Sequence, residues 1–193
     1  MQTVTYEEFL DFNPCWLEQE GGKERIKSYF DRFGGRMSAL DILTLDDVSA
    51  KDKLWSVLRE EFIPAPILHE FACECAECAL SLINSPDPRS IKAIETKRAW
   101  LRGEATDEEL AAARDAAWDA WGAASGGDWV AVKAAWDAAY SVAWDTAYTV
   151  ALDAAYSAAY TVAVDAASVD WYAYAAARDA QVAYLIMVLE EEK

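Results

Sequence analysis

From Asp128 to Ala167 the chain repeats every four residues, with no glycine or proline to interrupt it. One row reads Trp136, Tyr140, Trp144, Tyr148, Leu152, Tyr156, Tyr160 and Val164. The row before it is alanine at every fourth position from Ala135 to Ala167. The row after it is Asp137, Ser141, Asp145, Thr149, Asp153, Ser157, Thr161 and Asp165, and the fourth row, from Ala138 to Ala166, is small and mostly apolar. Alanine has the highest helix propensity, so the segment is predicted to be helical. At about 100° per residue a four-residue step overshoots a full turn by about 40°, so each row winds slowly around the helix or favours a right-handed supercoil. Three apolar rows out of four call for neighbours on most sides. The alanine row permits close approach of backbones, and the aromatic row is expected to supply the buried area. The repeat fits the central helix of a bundle or a subunit seam; the alternative is an exposed aromatic and acidic surface for a partner.

The last 66 residues contain neither glycine nor proline. As one helix they would span roughly 100 Å, too long for a compact domain. A break is expected near Ser168-Val169-Asp170, with Asp170 capping a final helix over 171–190 whose apolar face is Val182, Leu185, Ile186 and Leu189.

The first half reads as short helices. Thr5-Tyr6-Glu7-Glu8 and Thr106-Asp107-Glu108-Glu109 are capping-box patterns, Ser49 can cap a helix over 51–62, and Asp87-Pro88 opens another that ends at Gly103. Between them, a helix from Pro66 to about Ile83 sets Leu68, Phe71, Ala72, Cys75, Cys78, Ala79 and Leu82 on one face, opposite a narrow strip of Glu70, Glu74, Glu77 and Ser81. No segment carries a strand pattern. The expected fold is all-α, one helical body in three regions: 1–63 of short helices, 64–127 of middle helices, and 128–193 of tetrad-repeat helices.

Charge narrows the functional classes. With 34 acidic and 17 basic side chains, the 193-residue chain carries a formal charge of −17. Bare nucleic acid and anionic membranes would repel it. Its 54% hydrophobic content excludes wholesale disorder. No apolar run is long enough for a membrane span, and the acidic, amphipathic start lacks the marks of a signal peptide. Three of the four cysteines crowd into 73–78, which is no disulfide framework, so a reducing cytoplasm is expected.

No catalytic, cofactor or metal site is expected. His69, Cys73, Cys75 and Cys78 have zinc-type side chains, but one helix cannot converge all four, and buried cysteines act as small hydrophobes. The acidic neighbours Glu70 and Glu74 oppose a His69-activated Cys73 thiolate. Asp137, Asp145 and Asp153 are about 12 Å apart along a helix, too far to share a cation. The Gly-Gly pairs lack the context of a phosphate loop. These carboxylates fit better as contacts for a basic protein: Asp137, Asp145, Asp153 and Asp165, with Glu70, Glu74 and Glu77 as a second strip.

Several segments resemble a known group. Asp87-Pro88-Arg89-Ser90, Ala93-Ile94-Glu95 and Arg98-Ala99-Trp100-Leu101-Arg102-Gly103-Glu104, leading into the alanine-rich run, resemble an immunity-protein-like alanine-rich family of bacteria. Similar phage-encoded sequences also match Lys53-Leu54-Trp55, Leu58-Arg59-Glu60-Glu61 and the stretch from Pro64 to Cys73. The resemblance covers roughly residues 50–190 and carries over no catalytic residue. Together with the acidic charge, it points to an expected role as a phage-encoded inhibitor of a bacterial defence system, of anti-CRISPR or anti-nuclease type, that mimics nucleic acid through its charge. The alternatives are an immunity protein that neutralises a cognate toxin, or an oligomeric scaffold.

Overall fold

The computed structural model describes residues 2–18, 20–124, 128–139, 147–165 and 168–192. Helices make up most of the described residues, and the fold is all-α. In chain order the elements are β1 (Thr3–Thr5), α1 (Tyr6–Asp11), a 3-10 turn (Cys15–Glu18), α2 (Gly22–Arg32), β2 (Arg36–Ser38), α3 (Ala39–Leu43), α4 (Ala50–Val57) and α5 (Ala65–Leu80). There follow α6 (Pro88–Leu101), α7 (Asp107–Ala123), α8 (Asp128–Ala138), α9 (Ala147–Ala163), β3 (Val164–Asp165), β4 (Ser168–Val169) and α10 (Trp171–Glu191).

Local chemistry sets the helix starts. Thr5, Ser38 and Thr106 each accept a hydrogen bond from the third helical backbone N–H, while the acid at that position reaches back to the cap's own N–H. Ser49 and Asp87 cap α4 and α6 through their side chains alone. The Asp170 carboxylate accepts from the backbone N–H groups of Tyr172 and Ala173, placing the last helix start at the expected position. α6 is closed off by Gly103, whose φ of +72° favours a residue without Cβ, and the next N–H, of Glu104, donates back to the Ala99 carbonyl at 2.8 Å.

Four short strands depart from the strand-free expectation. β1 and β2 pair antiparallel, with Val4 opposite Met37 and both buried; β3 and β4 form a two-residue pair before α10. Strands of two or three residues are too short to leave an alternating pattern in the sequence. α4 also stops at Val57 rather than near Phe62, because Leu58 leaves the helical region at ψ 57°. Phe62 is nevertheless buried, since the chain turns there and the Phe62 and Ile63 N–H groups donate to the Arg59 carbonyl.

The tetrad repeat does not run as a single helix as far as residue 168. α8 and α9 pack against each other, and the Ser157 hydroxyl donates to the Asp137 carboxylate at 2.9 Å. On one straight helix those residues would be about 30 Å apart. Residues 140–146 lie outside the described residues.

α5 lies at the centre, against α6, α8 and α9, while α10 packs on α9 and reaches back to α3 and α4. The main core runs through Val4, Phe30, Leu54, Phe71, Ala151 and Leu185, so residues of all three regions share it. A smaller cluster of Ala93, Leu110, Ala117 and Ala139 joins α6, α7 and α8. Among the described residues, no helix is long and apolar enough to cross a membrane.

Within the repeat, the alanine row is the buried one. Ala135, Ala139, Ala151, Ala155, Ala159 and Ala163 are all essentially inaccessible, whereas Trp136, Leu152 and Tyr160 are half-buried and Tyr156 is 53% exposed. For the described part of the row this reverses the expectation that the aromatic row supplies the buried area; the side chains of Tyr140, Trp144, Tyr148 and Val164 lie outside the described residues. Alanine faces let helices approach closely, and rings are then too bulky for the seam and fan out at its rim.

Candidate functional site

The acidic strip of α5 is tied to the protein's own cation. Glu70, Glu74 and Glu77 sit three and four residues apart, so they share one side of the helix. α6 runs alongside and lays Arg98 across all three. Its Nε donates to Glu70 at 2.7 Å, Nη1 to Glu77 at 2.7 Å and Nη2 to Glu74 at 3.5 Å. Burial alone would lower the Arg98 pKa, but its hydrogen bonds to Glu77 and Glu70 outweigh that and raise it. The strip is therefore paired with the chain's own Arg98, while the Glu70, Glu74 and Glu77 side chains remain 45%, 35% and 59% exposed.

On the inner sides of the same helices lies a second polar group. His69, Cys73 and Lys97 are all at most 1% exposed. The His69 ring meets the Trp100 edge at 6.1 Å, and Lys97 Nζ lies 4.4 Å from the Trp100 ring centroid. Both His69 nitrogens have no hydrogen-bond partner among the described residues. Burial, and then the Lys97 charge, push the His69 pKa down to about 3, so the ring is neutral. Burial pulls Lys97 down to about 8 and pushes the Cys73 thiol up to about 12. A thiol so raised has almost no thiolate at neutral pH. Cys75 is buried with its pKa raised, while Cys78, expected on the apolar face, is exposed and donates to Glu74 at 3.6 Å. Among the described residues, no three His, Cys, Asp or Glu side chains gather as a metal site.

The aspartate row is split rather than continuous. Asp137, expected as a partner contact, is only 4% exposed. Its carboxylate accepts from Lys133 Nζ at 2.7 and 2.8 Å and from Ser157 across the α8–α9 seam. Burial raises its pKa, with the hydrogen bonds from Lys133 and Ser157 opposing. Asp153 is exposed on α9. Asp145 lies outside the described residues, as does the side chain of Asp165. Asp137 and Asp153 belong to different helices, α8 and α9, so the two carboxylates do not share one face.

Aromatic rings occupy the outward side instead. Trp118, Trp121 and Trp136 form a cluster across α7 and α8, with ring centroids 4.6 to 5.6 Å apart and Trp118 47% exposed. On α9 and α10, Tyr156 stacks on Tyr160 at 6.1 Å and meets Tyr174 edge-on at 6.2 Å, and Tyr174 in turn meets Trp171. Basic residues are scarce here: from 104 to 192 the sequence holds only Arg114, Lys133 and Arg178. Arg178 is buried and donates to the Tyr174 hydroxyl at 3.0 Å, while Lys133 is bound to Asp137.

Three basic residues that organise these sites were not legible in advance: Lys97, Arg98 and Arg178. A strip of glutamates at helical spacing does signal a need for a cation, but which residue provides it depends on how α6 packs. Compared with protein-family models, curated proteins and solved structures, the chain finds no match.

Proposed function

We propose that this chain is a non-catalytic, acidic helical binding protein that takes a basic protein partner and blocks it. The natural partner is a nucleic-acid-handling machine, such as a bacterial defence nuclease or CRISPR effector, and the natural source of such an inhibitor is a phage. One observation carries the reading. The surface from α7 to α10 combines exposed rings with exposed acids, and Arg114, Lys133 and Arg178 are all engaged by groups of the chain itself. Tyrosine and tryptophan are the residues most enriched at binding hot spots. A cationic groove built for nucleic acid complements such a surface, and the long-range field speeds encounter.

The test is phage plating on bacteria that express this protein beside a panel of defence systems. Restored plating against one system, with the cognate effector co-purifying, supports inhibition. No restoration on a broad panel, together with capture of a toxin from a neighbouring gene, replaces the defence target with a toxin. No basic partner in either format overturns the reading.

A further inference from the structure

We propose that Cys75 and Cys78 form a two-thiolate site for a soft metal ion, copper(I), beside a cavity between α5, α9 and α10. The site is independent of any basic partner. Both cysteines stand on α5, three residues apart in Cys75-Ala76-Glu77-Cys78. They border a cavity of about 300 Å³, whose other walls include Phe71, Ala158, Val162 and Tyr184. Cys75 is 4% exposed, whereas Cys78 is exposed and leaves a way in for an ion.

Ligand number and spacing choose the ion. Zinc takes four ligands, and no such set gathers among the described residues, but soft copper(I) is satisfied by two thiolates. Side chains three apart on a helix have Cβ atoms about 5–6 Å from each other. A disulfide needs about 3.8 Å between them and would distort the helix. An ion held by two metal–sulfur bonds of about 2.3 Å sets its sulfurs about 4.6 Å apart, which that Cβ separation allows. The helix therefore favours a bridging ion over a disulfide.

The surroundings fit the charge of such a complex. Burial first, then Cys78, raise the Cys75 pKa, so the two sulfurs stand close, and Arg178 of α10 acts against both. The hydrogen bonds that Arg178 makes among the described residues go to the Tyr174 hydroxyl and the Gln181 amide, which leave its charge in place. Each thiol passes its proton to solvent as its sulfur binds the ion. Two thiolates and a monovalent cation keep one negative charge, which the buried Arg178 offsets. The Cys78 thiol donates to Glu74 at 3.6 Å, a weak bond that ends when the proton leaves, and the ion then lies between sulfur and carboxylate charges.

The experiment titrates the full chain with copper(I) against a chromophoric copper(I) chelator, without oxygen and with a reductant that is not a thiol. The chain is expected to take a single equivalent from the chelator. Loss of an outer-shell partner already weakens metal sites, so loss of one of two ligands, in Cys75→Ser or Cys78→Ser, is expected to lower the affinity by at least about tenfold. Cys15→Ser and Cys73→Ser leave it unchanged. Cys78 is exposed, so its variant reports on the site even where Cys75→Ser disturbs packing. X-ray absorption at the copper edge is expected to show two sulfur neighbours. No transfer from the chelator, an affinity that Cys78→Ser leaves unchanged, or a copper ion surrounded by nitrogen and oxygen overturns the site.

Discussion

The two ends of this molecule build a core in opposite ways. In the N-terminal region three rings lie fully inside and the others are half-buried around them. Phe9, Phe30 and Phe62 are at most 3% exposed, with Phe9 and Phe30 centroids 5.5 Å apart. In the repeat the described rings, Trp136, Tyr156 and Tyr160, stay at the rim and alanine fills the seam. Short helices held by irregular turns leave wide gaps that large side chains must fill, whereas long alanine-faced helices leave no gap to fill. Phe9, Phe30 and Phe62 are thus core residues, whereas none of Trp136, Tyr156 and Tyr160 is fully buried. What decides is how closely the neighbouring backbones approach.

Substitutions can break or sharpen this contrast. The largest effect is expected at Phe62→Ala, which leaves a cavity in the N-terminal core and costs about 4 kcal/mol, read from urea unfolding. Next comes Ala154→Leu on the buried face of α9, where overpacking costs about 3 kcal/mol. If that leucine were accommodated at no cost, the alanine seam would not be closely packed. The same added bulk at an exposed position of α10, such as Ala175→Leu, is expected to change stability by less than about 0.5 kcal/mol.

The α5–α6 contact gives an intermediate effect. Arg98→Met removes the cation that three glutamates share and costs about 2 kcal/mol. Adding salt should recover part of that loss by screening the glutamates from one another. His69 supplies a pH effect with a definite sign. Its folded pKa, about 3, lies below the unfolded value of 6.5, so below that value the unfolded chain binds the extra proton. Its contribution is complete above about pH 6.5 and is lost as pH falls toward 3, at about 1.4 kcal/mol per pH unit. The difference in unfolding midpoint between the native chain and His69→Leu, followed from pH 7 to pH 4, isolates that slope from the carboxylates. A difference independent of pH would mean that His69 is not buried as a neutral ring. At the rim, Tyr156→Ala is expected to cost under about 1 kcal/mol, against the roughly 4 kcal/mol of Phe62→Ala.

Features governed by a few neighbouring residues were legible in the sequence. The caps at Thr5, Ser49, Asp87, Thr106 and Asp170 depend on a side chain and the next three backbone N–H groups, and all five helix starts stand where the pattern puts them. The glutamate strip on α5 was legible as a face, but its partner was not, because Arg98 comes from another helix. In the repeat, three apolar rows offer three equivalent choices of inner face, and hydrophobicity favoured the aromatic one. Close approach favoured alanine. The separation of α8 from α9 carries no glycine or proline signal. The burial of Asp137 follows from that separation, since its partner Ser157 belongs to the other helix. Lys97 reads as a surface residue of α6 until α5 is packed against it.

Hydroxyl-radical footprinting read by mass spectrometry tests the central contrast most directly, because it reports ring exposure in both regions in one experiment. Tyr156, Trp171 and Tyr172 are expected to react near their unfolded-state rates, while Phe9, Phe30 and Phe62 are protected. Protection of Tyr156 equal to that of Phe62 in the monomeric chain would place the aromatic row inside and contradict the account.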